Sequence, residues 1–304
     1  MAHANLRIGA SLAILAASLA ACGGGGGASG DNPGSSGGVV TPQPPPPPPP
    51  PAAGRLPPPP FGTAASQTFA TFGWIDPAGP AAPVALQSDQ LTLRWSAARA
   101  TYELTLPDGQ TGFLEYAFPG NNPVAFRLLG ANNAPLNANI TLDDGRLYDP
   151  PLRSVGLLLW DVPGSASGAA AFGLPSTPGD VTGRGTVTYI TYPTASNNSI
   201  VLTFDFGAGT FSGDIGLAWV DAWGPYPITR YPFTRTDYGV GRTSFTATFT
   251  IPGAPEEGIL TGRFMGPDAR ELAIAWRAPV RPPWGGDWEI YSGVVVGRLC
   301  PECR

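Results

Sequence analysis

The stretch SIVLTFDFGAGTFSGDIGLAW, from Ser199 to Trp219, contains two runs of alternating apolar residues joined by a glycine-rich turn. In the first run Ile200, Leu202 and Phe204 fall on one face, and smaller or polar residues fall on the other. Successive side chains of a β-strand point to opposite faces, so this period of two predicts a strand with one buried face. The turn at Gly207–Gly209 predicts that the second run folds back as a hairpin partner.

The same alternation recurs through the C-terminal part of the chain, and no stretch shows the apolar stripe of a helix. It predicts eight strands, near residues 185–192, 199–206, 209–219, 226–233, 242–251, 257–265, 270–278 and 289–299. Eight short antiparallel strands that each carry one apolar face predict an up-and-down barrel, in which closure removes the sheet edges. Side chains fill the interior at this size. Polar outward faces argue against a barrel that spans a membrane.

A smaller β domain is predicted upstream of the barrel. TYELTLPDGQTGFLEYAF, from residue 101 to 118, is typical of a hairpin about Pro107–Gly109, and VGLLLWDV, from residue 155 to 162, of a buried strand. Small and turn-forming residues from Pro163 to Gly183 predict a joint. The interpretation is therefore all-β: a β domain at 67–180 and a barrel at 181–304.

The N-terminus predicts export. The apolar run Ile8–Ala21 is shorter than the roughly 20 residues of a membrane-spanning helix, and fits a signal peptide at 1–21. Its end, Leu19-Ala20-Ala21-Cys22, resembles the bacterial lipoprotein box. That resemblance implies cleavage before Cys22, with a diacylglyceryl thioether and an N-acyl chain on the cysteine, while Gly23 favours sorting to the outer membrane. The alternative is an ordinary secreted protein with an incidental cysteine.

Residues 22–66 predict a disordered tether. Glycine and serine dominate up to Gly38, and proline runs follow at Pro44–Pro51 and Pro57–Pro60. Polyproline II geometry would let the proline-rich part reach roughly 60 Å. A spacer is the preferred interpretation, and a ligand for aromatic-grooved domains is the alternative.

The composition excludes several kinds of chemistry. The sole histidine, His3, lies in the signal peptide, so the mature chain has no imidazole for a catalytic triad or a metal site. The chain has no lysine and a formal net charge of −5, which argues against nucleic-acid binding. We expect no cofactor and no bound metal. LDDGRLYD, residues 142–149, has three acids but lacks the spacing of a calcium loop, so a solvated turn is preferred.

Two further cysteines, Cys300 and Cys303, lie at the C-terminus in CPECR. Outside the cytosol this spacing favours a small local disulfide. A redox or metal role is the alternative.

Three stretches resemble the barrel of transferrin-binding protein B-like surface lipoproteins: GTVTYITY (185–192), LTFDFGAGTFSGDI (202–215) and GRFMGPDARELAIAW (262–276). The last follows a G-x-F-x-G-P-x-A-x-E pattern, with Gly262, Phe264, Gly266, Pro267, Ala269 and Glu271 at its fixed positions. The residues themselves suggest a tight turn at Gly266-Pro267, a plug at Phe264, and a rim carboxylate at Glu271 that accepts backbone or arginine hydrogen bonds.

The resemblance implies a lipid-anchored protein with a handle domain and an eight-stranded barrel, exported by a surface-display machinery. Such proteins capture a host protein or an iron source, such as transferrin, haemoglobin or a complement regulator. The chain has at most one handle–barrel pair, so specificity for transferrin is not implied.

An aromatic stretch, Trp219–Phe233, is the candidate partner-binding surface. Its anchors would be Trp223, Tyr226, Arg230, Tyr231 and Phe233. Aromatic and arginine side chains dominate the binding energy of protein interfaces. The alternative is that they cap the barrel or bury the domain joint. RPPWGGDWEIY, residues 281–291, is a second such loop on weaker grounds.

Three functions are consistent with this sequence. The preferred one is a non-catalytic surface lipoprotein that binds a macromolecular or iron-related ligand through barrel and handle loops. A periplasm-facing structural or solute-binding envelope lipoprotein is the second. The third is a histidine-free hydrolase that uses a carboxylate pair from Asp205, Asp214 and Glu271.

Overall fold

The computed structural model describes residues 56, 59, 65–79, 81–87, 89–117, 125–146, 148–191, 199–218, 220–221, 224–225, 228–282 and 285–301. The predicted signal peptide and nearly all of the predicted tether lie outside these residues. Among the residues described, none of the helices has the length and apolar character needed to cross a membrane.

The described part of the chain is almost entirely β. The first domain contains β1 (Gln67–Pro77), β2 (Val84–Ala85), β3 (Thr92–Ser96), β4 (Thr101–Thr105), β5 (Thr111–Tyr116), β6 (Ala125–Leu129), β7 (Pro135–Asp143), β8 (Val155–Asp161) and β9 (Ala166–Gly173). A short helix, α1 (Pro178–Val181), follows. The second domain contains β10 (Thr186–Thr191), β11 (Ser199–Asp205), β12 (Thr210–Leu217), β13 (Val220–Asp221), β14 (Gly224–Pro225), β15 (Thr229–Asp237), β16 (Ser244–Phe249), β17 (Gly258–Met265), β18 (Glu271–Val280) and β19 (Glu289–Leu299).

The first domain is a closed barrel, which we call barrel 1. Its sheet runs β1-β3-β4-β5-β6-β7-β8-β9, and β1 also pairs with β9 along Ala70–Pro77 to close the ring. The short strand β2 adds to β1 outside the ring. The sequence predicted a smaller β domain here, so closure into eight strands is a finding of the structure. The predicted hairpin about Pro107–Gly109 is confirmed, with β4 and β5 on either side of it.

The predicted joint at Pro163–Gly183 is wrong for its central part, because β9 lies inside it and pairs with both β1 and β8. The small residues of β9 allow neighbouring groups to approach its backbone closely. A Cβ atom added at Gly168 would lie 2.2 Å from the Trp160 ring, and one added at Gly173 would lie 2.0 Å from the Ser154 carbonyl oxygen. The segment is a tightly covered strand, and the connection between the domains is limited to residues 174–185.

The second domain is the predicted eight-stranded barrel, which we call barrel 2. Its ring is β10-β11-β12-β15-β16-β17-β18-β19, and β10 pairs with β19 to close it. All eight predicted strands are present. The alternation in Ser199–Asp205 is also confirmed, because Ile200, Leu202 and Phe204 are buried in the interior while their neighbours are only partly buried.

Several interior rings lie flat against glycines directly opposite on the next strand. Phe249 faces Gly258 and Phe245 faces Gly262, and a Cβ atom at either glycine would lie within 2.3 Å of a ring atom. Trp276 faces Gly293 in the same way. Each glycine therefore provides the space that the opposite ring occupies.

The two barrels pack side against side. Outer-face residues of β1, β8 and β9 and of the loop before β8 meet Met265 and outer-face residues of β18 and β19 in one apolar cluster. Its buried members are Trp74, Leu152, Val155, Leu157, Ala171, Met265, Ala273, Ala275, Val294 and Val296.

Leu56 belongs to the packed body although it lies inside the predicted tether. Its side chain is 5% exposed within the core of barrel 1, and its backbone N–H donates to the carbonyl oxygen of Ala100 at 2.9 Å. Pro59 is buried as well. The packed part of the chain therefore begins before residue 67.

Candidate binding surface at one end of barrel 2

The alternation of strand direction sorts the connections of barrel 2 into two sets. One end, which we call the closed end, carries the connections at 206–209, 238–243 and 266–270. The other end, which we call the loop end, carries the longer connections at 192–198, 218–228, 250–257 and 281–288. Loops at one end of a rigid barrel are a common location for binding residues.

The closed end is sealed by aromatic side chains. Phe204 is completely buried, and the centres of the Phe211, Phe245 and Phe264 rings lie 4.8–4.9 Å from its own ring centre. The hydroxyl of Tyr189 donates to the carbonyl oxygen of Ala269, and burial raises the pKa of this phenol. These residues pack against one another and close this end of the barrel with apolar side chains.

The loop end has a partly exposed apolar rim. It packs on the buried core of the barrel but keeps contact with solvent, and we call it the loop-end rim. Its members are Tyr231, Ala254, Val280, Trp288 and Tyr291. Ile228, in the connection just before β15, has 46% of its surface exposed. Partly exposed aromatic and aliphatic side chains of this kind can contribute large contact areas to a partner.

Three of the predicted partner-binding residues lie on β15. Arg230 is exposed, forms an ion pair with Asp214 and donates to the Ser199 hydroxyl at 3.3 Å. Tyr231 and Phe233 point inward and are partly buried, with their ring centres 6.4 and 6.5 Å from that of Phe249. The structure therefore gives Tyr231 a place in the rim and Phe233 a place deeper in the wall.

Trp223 and Tyr226 lie outside the described residues. Their neighbours in sequence do form structure: β13 and β14 pair antiparallel, with Asp221 opposite Gly224. The connection between β12 and β15 therefore contains its own short hairpin.

Sequence reasoning gave little weight to Trp288 and Tyr291, which belong to the loop predicted on weaker grounds. The Tyr291 hydroxyl donates to a carboxylate oxygen of Glu289 at 3.1 Å. A usable signal was present in the sequence. Consecutive strands of an up-and-down barrel alternate in direction, so the connection between the predicted strands 270–278 and 289–299 lies at the same end as the one between 209–219 and 226–233.

The carboxylates considered for hydrolysis are each engaged separately. Asp205 accepts from the backbone N–H of Ala208 in its turn, Asp214 pairs with Arg230, and Glu271 accepts from two backbone N–H groups. Within the described ranges, no group of three or more histidine, cysteine, aspartate or glutamate side chains is placed to hold a metal ion. Asp144, in the segment considered for calcium, pairs with Arg146 at 3.2 Å.

The motif residues lie where β17 turns into β18. Phe264 is completely buried in the closed end, and Gly266 and Pro267 begin the turn, as predicted. Gly262 faces the Phe245 ring, and Ala269 is fully buried beneath the turn. Glu271 is 7% exposed and accepts backbone hydrogen bonds, one of the two possibilities predicted for it.

The predicted lipidation site at Leu19-Ala20-Ala21-Cys22 lies outside the described residues. Cys300 is 2% exposed and is disulfide-bonded. Cys303 lies outside the described residues, so the pairing of Cys300 with Cys303 stays a prediction.

No family model matches the sequence, and no curated protein matches it. Among solved structures, a transferrin-binding protein B double mutant from Haemophilus parasuis aligns over 77% of this chain and 45% of its own, with 14% identity and a TM-score of 0.44. This chain thus spans less than half of that protein. The haemoglobin receptor HpuA from Kingella denitrificans aligns over 79% of this chain and 88% of its own, with 15% identity and a TM-score of 0.42.

Proposed function

We propose that the chain is a lipid-anchored outer-membrane lipoprotein that captures a macromolecular ligand without catalysis, through the loop-end rim and loops of barrel 1. The observation that carries the proposal is the contrast within barrel 2. One end is sealed by buried rings, while the other presents partly exposed Tyr231, Trp288 and Tyr291 beside exposed Arg230. Partly exposed aromatics with arginine nearby have the composition of interface hot spots.

The point where the tether enters the packed body supports a loop-end rim that faces away from the membrane anchor. Leu56 bonds to Ala100 in the β3–β4 connection, which strand alternation places at the same end of barrel 1 as the β7–β8 connection. That second connection contacts the closed end of barrel 2 through Glu271. A chain anchored through its N-terminus therefore leaves the body at the end of barrel 1 that contacts the closed end of barrel 2, and the loop-end rim lies at the opposite end of barrel 2.

Haemoglobin and iron-loaded transferrin are the first probes, because the sequence resemblance implies a host protein or iron source as ligand. Purified full-length chain would be immobilised, and each probe would be passed over it. The double variant Trp223→Ala, Tyr231→Ala should weaken capture by about tenfold or more. The matched control Val240→Ala, at an exposed position of the closed end, should leave capture unchanged.

The outcomes separate the interpretations. Failure of both probes to bind wild-type protein would argue against capture of these iron carriers and favour the solute-binding or structural alternative. If the double variant binds less and also unfolds at lower denaturant concentration, the aromatic residues serve packing rather than binding.

The anchor and the facing direction have their own tests. Cys22→Ser should abolish labelling with radioactive palmitate and release the protein from membranes. Protease treatment of intact cells that carry an epitope-tagged copy should remove the tag if the body faces outward. Protection until lysis would place the body in the periplasm.

A further inference from the structure

The segment Gly262–Glu271 makes several hydrogen bonds across the joint between the barrels, in addition to its pairing within barrel 2. The N–H of Gly266 donates to the carbonyl oxygen of Leu174 at 2.7 Å, and the hydroxyl of Ser176 donates to the carbonyl oxygen of Gly266 at 2.6 Å. The N–H of Ser176 donates to the carbonyl oxygen of Phe264 at 3.0 Å. Leu174 and Ser176 lie at the start of the connection that follows β9, and the N–H of Leu174 itself donates to the carbonyl oxygen of Ser154, so these bonds tie the end of β17 to the edge of barrel 1.

Glu271 reaches further into barrel 1. Its Oε1 accepts from the backbone N–H of Arg153 at 2.6 Å, and its Oε2 accepts from that of Ser154 at 2.7 Å. Hydrogen bonds from N–H groups to a carboxylate are stronger than those between neutral groups. Burial raises the pKa of Glu271, and the hydrogen bonds from Arg153 and Ser154 oppose that rise.

The position of Glu271 on its strand shows that barrel 2 alone does not bury its carboxylate. Leu272 and Ile274 point into barrel 2, so Glu271 and Ala273 lie on its outer face. A carboxylate on the outer face is ordinarily solvated. This one is 7% exposed because barrel 1 covers it.

Gly266 is constrained by the same contact. Its φ is +75°, and a Cβ atom there would lie 2.0 Å from the Oγ of Ser154. Gly253, in the loop end, has a similar φ of +79°, but its nearest neighbour would be 3.8 Å away. Backbone conformation therefore favours glycine at both positions, and close approach of barrel 1 demands it only at Gly266.

We propose that Gly262–Glu271 is a docking motif that holds barrel 1 against barrel 2, with Glu271 as the positioning residue that binds the backbone of Arg153 and Ser154. The motif recognises main-chain N–H groups and the small side chain of Ser154. It makes the two barrels one rigid body, so that loops of both keep a fixed spacing.

Trypsin cleavage of the Arg153–Ser154 bond in the full-length chain reports this contact directly, because Glu271 binds both residues that flank it. In Glu271→Gln the amide NH₂ would face one of the two N–H donors, so the loop should open and cleavage there should accelerate by about tenfold or more. Cleavage after Arg235, on β15, is the internal reference for barrel 2. Glu256→Gln, at an exposed carboxylate that pairs with Arg277, is the control variant.

An unchanged rate at Arg153 in Glu271→Gln would overturn the proposal. So would an equal acceleration after Arg153 and after Arg235, because Glu271 would then serve the folding of barrel 2 itself. Acceleration at Arg153 alone is the result expected.

A double-mutant cycle tests the Gly266 contact independently. Gly266→Ala should lower the denaturant midpoint more than Gly253→Ala, and adding Ser154→Gly should recover most of the difference. Equal effects of the two alanine substitutions, or no recovery by Ser154→Gly, would contradict close docking at this point.

Discussion

The two ends of barrel 2 are built from the same eight strands and the same alternation of residues, yet they differ in how their interiors are covered. At the closed end Phe204, Phe245 and Phe264 are at most 2% exposed, and the connections are short. At the loop end the connections are longer, and the residues of the loop-end rim are only partly buried. The stabilising core and the candidate recognition surface are therefore separated along the length of each strand.

Truncation of an inward phenylalanine should have the largest effect, and the effect should be larger in the closed end than in the middle of the wall. Phe204→Ala removes a fully buried ring and should lower the free energy of unfolding by about 3–5 kcal/mol. Phe233→Ala removes a partly buried ring and should cost roughly half as much, since less apolar surface returns to water. Chemical denaturation measures both. Equal losses would mean that the wall at Phe233 is packed as tightly as the closed end at Phe204.

Two tyrosines near the closed end offer a smaller and more selective test. The hydroxyl of Tyr189 donates to Ala269, whereas that of Tyr238 is buried with no hydrogen-bond partner in the part of the chain described. Tyr189→Phe should cost about 1 kcal/mol, and Tyr238→Phe should be neutral or slightly stabilising. If Tyr238→Phe proves the more costly of the two, its hydroxyl has a partner such as an ordered water.

The short helix α1 should make the stability of the closed end depend on pH in the acid range. Hydrogen bonds from the side chain and backbone of Thr177, and from the backbone N–H of Asp268, lower the pKa of Asp180 below 3.8. A carboxylate with a lowered pKa stabilises the fold above its unfolded pKa, and this contribution is lost as the pH falls through the folded pKa. We expect Asp180→Asn to flatten the fall of the denaturant midpoint as the pH drops through and below the ordinary pKa of an aspartate. An unchanged slope would show that other carboxylates dominate.

The smallest change in stability is expected for Arg230→Ala near the loop end. The side chains of Arg230 and Asp214 are 48% and 33% exposed, so their ion pair should contribute about 0.5 kcal/mol or less. Denaturation should scarcely detect the substitution. Its effect on probe capture, measured beside Val240→Ala, would then report binding alone. A large loss of stability would place Arg230 in the structural part of the barrel.

The strands of barrel 2 were predictable because inward apolar residues alternate with polar or small ones. In β18 and β19 the outward residues are apolar too, because they pack against barrel 1. The strand β9 was not predictable, because Gly168 and its alanine neighbours suit close packing rather than the β-branched or aromatic pattern expected of strands. The role of Glu271 was predictable only as a type of bond. Its partners lie 117 and 118 residues away, in a loop whose position depends on how both barrels close.

The residue types of the loop-end rim were predictable from the sequence, but the exposed fraction of each side chain was not. Tyr231 and Phe233 both alternate correctly for an inward strand, and only the packing of neighbouring rings decides how much of each stays exposed. Trp288 becomes informative once the topology brings its loop beside the others.

The glycines that face interior rings also bear on how the chain finds its correct pairing. A shift of one strand by two residues keeps every side chain on its proper face, so hydrophobic alternation alone penalises this error only weakly. In barrel 2 such a shift would set Phe245 opposite Leu260 or Phe264 in place of Gly262, with no space for its ring. Trp276 would meet Tyr291 or Val295 in place of Gly293. Each ring and its glycine thus favour the native strand register over misaligned registers that bury the same hydrophobic residues.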